Sequence, residues 1–358
     1  MSRLTIAIPT FRRPEDLKRA VGGVLEQASE LAAGPTAEAS GPRTDAEAGT
    51  EGDAAGATDA KGGAGEDVSD IEVLVIDNDA QGSGREAALA AAADAGVPVR
   101  FPADAPVESG GMSVRYVVEE RPGVAAVRNR ALDETAERDL LIFIDDDEEP
   151  EPGWLAALVG LQASTGCQAV AGPVIPVYEV KPEEWVRQGE FFVRKTWPTG
   201  TVRPVAASNC LLLDLGFVRR AGLRFDEAFG ATGGEDTLFT RRLSAAGGVI
   251  RWCDEARVRD HVPASRLTRP WILRRQRSHA ATSVRVELAL AGGGVQPAIR
   301  ARAAAGGLVR IVLGGLRTAG GTLVGSPRHA AKGARLLARG RGILAASTGG
   351  GVHREYDH

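Results

Sequence analysis

Cysteine is scarce in this 358-residue chain: Cys167, Cys210 and Cys253 are odd in number and far apart. Such spacing fits neither a disulfide framework nor a zinc knuckle, and is what a reducing cytoplasm leads one to expect. The first residues, Met1-Ser2-Arg3-Leu4-Thr5-Ile6, lack the basic region, long apolar stretch and cleavage site of an export signal. No uninterrupted apolar run of about 18 residues occurs, and Arg310 and Arg317 interrupt the best candidate, residues 306–325. A membrane-spanning helix is therefore not expected. Glycine is missing from Pro9-Thr10-Phe11-Arg12-Arg13, the loop that leaves the first strand-like segment. That absence argues against both a Gly-x-Gly-x-x-Gly dinucleotide turn and a glycine-rich phosphate loop.

Large apolar side chains nearly vanish between residues 30 and 69, a stretch of Ala, Gly, Thr, Asp and Glu. It cannot offset its own ordering entropy and is expected to be a disordered low-complexity insertion. Acid is absent from Leu288 to His353, where nine Arg and Lys residues run from Arg300 to Arg341. The formal charge of -4 conceals this basic tail. Its charge suits an anionic membrane surface, and Leu308, Ile311, Val312, Leu316 and Leu323 offer an apolar stripe between the arginines; packing on the rest of the chain is the alternative. Nucleic acid is not the expected partner, because the basicity comes without interleaved aromatics or a recognisable binding module.

What is present reads as a large α/β domain, with 43% hydrophobic residues to fill its core. Strand-like runs at Leu4–Ile8, Ile71–Ile76, Arg115–Val118 and Leu140–Ile144 alternate with helical patterns after Pro14, Arg85 and Pro122. Further strands are expected at Ala169–Val174, Ala206–Leu213 and Ile250–Trp252. Alternation of this kind predicts a mostly parallel sheet flanked by helices, with ligands beyond the carboxyl ends of the strands. After about residue 297 two helical segments follow, broken near Ser326-Pro327.

Two acidic constellations carry the chemistry. Asp145, Asp146 and Asp147 directly follow the apolar run 140–144. In an extended chain Asp145 and Asp147 would point one way and Asp146 the other, and carboxylates at this density suit Mg2+ or Mn2+ bridging to a diphosphate, unless they form only an acidic turn. Gly233-Gly234-Glu235-Asp236 places two carboxylates at a helix start, either as caps or as proton acceptors.

With these motifs the sequence resembles the family 2 glycosyltransferases of GT-A fold. The resemblance is carried by Ala7–Arg13, Val75-Ile76-Asp77-Asn78, Arg121-Pro122-Gly123 through Arg128-Asn129, Ile144–Asp147 and Gly230 through Asp236. Pro152-Gly153-Trp154-Leu155 and Trp252-Cys253-Asp254-Glu255 look most like the branch of succinoglycan-type glucosyltransferases of bacterial polysaccharide assembly. The resemblance implies a GT-A domain over residues 1–29 and 70–285, the insertion at 30–69, and a basic helical tail over 286–358. It implies a nucleotide-sugar donor, a UDP-sugar in the first instance, and a glycan or lipid-linked saccharide acceptor. It further implies an inverting transfer aided by Mn2+ or Mg2+, in an enzyme of the cytoplasm or its membrane face.

Roles follow for the matching positions. Pro9, Thr10, Phe11, Arg13 and Asp77 would surround the base and ribose, and Arg128 would reach the base or phosphates. Asp145 and Asp146 would hold ribose and sugar, and Asp147, with Asp145 and His261, the cation. Asp236 would be the general base and Glu235 its companion. Asn209 would lie on the acceptor side, and Arg274 and Arg275 fall where processive relatives carry Gln-x-x-Arg-Trp. No Trp follows Arg277, which argues against processive synthesis. A sugar nucleotidyltransferase and a non-catalytic saccharide-binding scaffold are the competing readings.

Overall fold

A computed structural model describes residues 2–33, 68–101 and 111–350. The first half runs β1 (Ser2–Thr10), α1 (Pro14–Ala33), β2 (Val68–Asp77), α2 (Arg85–Asp94), β3 (Val99–Arg100), β4 (Gly111–Val118), α3 (Val124–Glu134) and β5 (Leu140–Phe143). Then come β6 (Glu148–Pro150), α4 (Trp154–Thr165), β7 (Ala169–Ala171), β8 (Val174–Tyr178), α5 (Glu184–Gly189), β9 (Val202–Arg203), β10 (Leu211–Asp214) and α6 (Leu215–Arg220). The last third holds α7 (Glu235–Ala245), β11 (Ile250–Trp252), β12 (Val258–Val262), α8 (Arg269–Leu290), α9 (Gln296–Leu323) and α10 (Pro327–Ser347).

The main sheet has the order β3-β4-β2-β1-β5-β10-β7-β11-β9, and its first five strands are all parallel. Strand alternation explains how it is buried on both faces. Leu4, Ile6, Ile8, Val73, Val75 and Ile142 face a core closed by α1, α2 and α4, whereas Ala7, Leu74, Ile76, Leu141 and Phe143 face one closed by α3, α6 and α7. The expected α/β class is therefore found. In the parallel register Thr10 pairs with Asp77 and Ala7 with Phe143, so the segments after β1, β2 and β5 leave the sheet on one side together. A small second sheet, β6-β12-β8, stands beside them.

Several expectations are corrected. Residues 30–33 belong to α1 and 68–69 to β2, and not to an insertion, because Leu31 and Val68 still pack at the edge of the first core. Residues 34–67 lie outside the described residues. The run 169–174 is not one strand: it divides into β7 and β8 in different sheets, at Gly172, where a Cβ would collide with the Ala256 carbonyl. Strand structure in 206–213 begins only at Leu211.

The tail forms an antiparallel pair of helices. Gly307, Gly314 and Gly321, seven residues apart, let α9 approach so closely that a Cβ at Gly314 or Gly321 would strike the backbone of α10. On its other side α10 meets α8, with Gly342 against the Arg277 carbonyl, and α5, with Lys332 paired to Glu190 at 2.9 Å. Packing of the tail on the rest of the chain, the alternative left open above, is what α10 does.

Candidate active site

β5 stops at Phe143, and the chain turns at Asp146–Asp147, with the Glu148 amide donating to the Asp145 carbonyl at 3.2 Å. The turn overturns the expected alternation of the three aspartates. Asp146 and Asp147 share one guanidinium, Arg13 Nη1, at 3.1 Å each. Thr10 Oγ1 also donates to Asp146 at 2.8 Å, and Arg266 Nη1 lies 3.0 Å from Asp147. Asp145 turns instead toward Arg128, 3.5 Å from its Nη2.

Arg128 is the residue that joins the two acidic constellations. It sits on α3 with its side chain only 6% exposed, and Nη1 binds Glu235 while Nη2 faces Asp145. The arginine read as reaching a nucleotide is engaged from both sides by carboxylates. Glu235 opens α7 behind Gly233 and Gly234, whose φ angles of 75° and 97° favour glycine, and a Cβ on Gly234 would collide with Thr282. Burial pushes the Glu235 carboxyl up to about 7 despite Arg128, with neighbouring Asp236 adding to the rise. Its Oε2 is buried with no hydrogen-bond partner among the described residues. Asp236, one residue on, is half-buried and accepts from the Thr237 amide and, at 3.2 Å, from Thr237 Oγ1.

Other expected residues lie elsewhere in the local chemistry. Asp77 is fully buried, and accepts from the Asp79 amide at 2.9 Å, the Gly84 amide at 2.7 Å and Tyr116 Oη at 2.7 Å. Its carboxylate holds the loop after β2 together. Pro9, near the end of β1, and Phe11, in the loop after it, are half-buried, and Arg12, at a φ of 55°, stacks over Phe11 and pairs with Asp79 at 3.3 Å. Asn209 Nδ2 donates to Glu148 at 2.6 Å. Arg274 is exposed on α8, whereas Arg275 is half-buried with its guanidinium 5.5 Å from the Trp271 ring.

Glu148 and Arg266 were missed from sequence. Glu148 is 1% exposed, accepts from the Asp145 amide at 3.1 Å, and is raised well above the usual carboxylate range, first by burial and then by Asp145. Its position directly behind the triplet was the available signal, but only its pairing with Asn209, 61 residues away, sets it apart from an acidic turn.

A cavity of about 520 Å3 opens beside the triplet, lined by Arg13, Arg19, Asp147, His261 and Arg266 among others. Its three arginines share the lining with Asp16, Asp147 and Glu179, and guanidinium groups suit a polyanion such as a diphosphate. The expected cation set is only partly assembled: among the described residues no group of three His, Cys, Asp or Glu side chains converges as a metal site. Asp145 is drawn to Arg128, and His261 Nε2 lies 3.1 Å from Glu149. Asp147 and His261 nevertheless line the same cavity, held side by side by the His261 amide donating to the Asp147 carbonyl at 3.1 Å. A carboxylate and an imidazole fit a small divalent cation that takes its remaining ligands from phosphate and water.

Burial also raises Asp146 to about 7, against Arg13 and with Asp147. Both Asp146 and Glu235 thus hold a proton more tightly folded than unfolded. The stability this lends is complete below their unfolded values near 4 and is lost as pH rises through 7. The thermal midpoint is expected to fall by a few degrees between about pH 6 and about pH 8, with Asp146→Asn flattening part of the fall. A midpoint that rises across this interval contradicts the assignment.

Residues 64–214 match the model of the family described as Glycosyl transferase family 2. The succinoglycan biosynthesis protein ExoM of Rhizobium meliloti (strain 1021) is 33% identical over 212 residues, 58% of this chain and 62% of that protein. The chain thus spans less than two thirds of the length of this curated relative. Among solved structures, GalNAc-T7 with UDP, GalNAc and Mn2+ superposes with a TM-score of 0.47 at 14% identity, covering 79% of this chain and 51% of that one. S. aureus TarS gives 0.47 at 12% identity, covering 82% and 47%.

Proposed function

We propose that this chain, which carries a glycosyl transferase family 2 domain over residues 64–214, is an inverting glycosyltransferase of cell-surface polysaccharide biosynthesis. It moves a hexose from a nucleotide diphosphate sugar, a UDP-sugar, to a hydroxyl of a glycan or lipid-linked saccharide. It works in the cytoplasm, peripheral to the membrane bearing such an acceptor. One observation carries the reading: Arg128 draws the triplet through Asp145 and the Glu235-Asp236 pair to a common centre. The bridge runs from Asp145, two residues from the cavity-lining Asp147, to Glu235, the neighbour of the half-buried Asp236.

In this reading the acceptor oxygen attacks the anomeric carbon as the bond to the diphosphate breaks, and Asp236 takes the hydroxyl proton, with no covalent enzyme intermediate. Glu235, fixed by Arg128, orients the acceptor or the base. Arg13 and Arg266, now on Asp146 and Asp147, are placed to meet the departing phosphates. A divalent cation, Mn2+ or Mg2+, held by Asp147 with His261 beside it, would neutralise charge on that leaving group.

The test is donor binding. UDP- and GDP-sugars titrated with and without Mn2+ are expected to bind in a metal-dependent way, and Asp147→Ala to weaken the metal-dependent component by about tenfold or more. Equal donor affinity with and without the cation would remove Asp147 and His261 from metal binding.

A further inference from the structure

We propose that the outward face of α9 is a docking surface for an anionic phospholipid membrane. Leu308, Val309, Val312, Leu313, Leu316 and Leu323 are between 52% and 87% exposed, and their successive spacings of one, three and seven place them on a single side of the helix. The opposite side is already committed, since Gly307, Gly314 and Gly321 are buried against α10. Among the described residues, none covers the aliphatic stripe. A continuous exposed apolar band of this length marks an interaction surface.

Charge identifies the occupant. No Asp or Glu occurs from Leu288 to His353. Arg310 and Arg317, each one residue beyond a member of the stripe and seven apart, are exposed along one edge of it. Behind them Arg339 has its pKa lowered by burial and by the nearby Arg335 and Arg310, so cations crowd this region. An aliphatic face with an arginine border matches an interfacial helix lying in a negatively charged headgroup layer. A second copy of this chain, docked face to face, would instead bring arginine against arginine. The geometry is that of lying on a bilayer, since among the described residues no helix is long and apolar enough to cross one.

The inference rests on the peripheral-membrane part of the proposed function and is independent of its sugar chemistry. The full chain is to be sedimented with vesicles of phosphatidylcholine, with and without phosphatidylglycerol. Binding is expected only with the anionic lipid and to fade with salt. Joint Val312→Ser and Leu316→Ser is expected to weaken it by about a hundredfold, and joint Arg310→Gln and Arg317→Gln by roughly thirtyfold. Circular dichroism and UDP-sugar affinity should stay unchanged in both, because the four side chains are exposed and outside the site. Binding that survives the serine pair overturns the α9 assignment while sparing a peripheral location through another surface. Failure of the unaltered chain to bind overturns both, and leaves sugar transfer to be judged on its own assay. A dimer dissolved by the serine pair identifies a second copy as the occupant and overturns the lipid assignment.

Discussion

Replacing Asp236 with asparagine is expected to lower sugar transfer by about a thousandfold, with donor affinity and thermal stability close to those of the unaltered protein. The reason lies in how little the fold asks of this side chain. Asp236 is half-buried, and its contacts go to the amide and hydroxyl of the next residue, both of which an asparagine oxygen can still accept. Asparagine cannot take a proton from an acceptor hydroxyl. Initial rates at saturating donor and acceptor, with calorimetric donor binding as the control, separate the two effects. Transfer within a few-fold of the unaltered rate would show that another group is the base.

Replacing Arg128 with methionine is expected to destabilise the fold by about 3–5 kcal/mol, and to abolish activity with it. Arg128 is the cation paired with Glu235, and their side chains are 6% and 4% exposed. Without the guanidinium a buried carboxylate must either lose its proton in an apolar setting or keep it, and Asp145 loses its partner as well. The loss should therefore be larger at about pH 8 than at about pH 5.5, where a protonated Glu235 escapes most of the penalty. Adding Glu235→Gln should restore a substantial part of the stability, since it removes the orphaned charge while keeping the shape. Urea unfolding of the two single variants and the double gives the coupling directly. A coupling near zero would mean that the bridge between the two acidic motifs contributes nothing energetically.

The parts legible in sequence were those with local causes. The parallel strands showed in the apolar runs at 4–8, 71–76 and 140–144, and the shared exit of their ends followed from α/β alternation. Gly233-Gly234 before Glu235 showed a helix start because the backbone demands it. Roles set by distant partners were hidden. Asp77 was read as facing a ligand, yet Gly84 and Tyr116 claim its oxygens, and no pattern in 75–79 encodes those donors. The turn at Asp146–Asp147 depends on Glu148 folding back beneath Asp145 and on Asn209 meeting it from β10's approach. Arg266 lies in a single 3-10 turn with no motif, 119 residues from the aspartate it binds. The two tail helices and their break at Ser326-Pro327 were legible, but not the contact between them, because glycines every seven residues carry no hydrophobic signal; close backbone approach, not apolar periodicity, sets that contact.

The docking of α10 onto α5 also sets a schedule for biosynthesis. Ala331 is fully buried in the cluster that contains Trp185 and Val186, and Lys332 reaches Glu190, 142 residues earlier. Until α10 has been made and docked, the side of this aromatic cluster that Ala331 covers stays open on an otherwise assembled domain. A premature stop just before α10 would therefore produce no lighter enzyme, but a chain whose sticky flank invites chaperones and proteases.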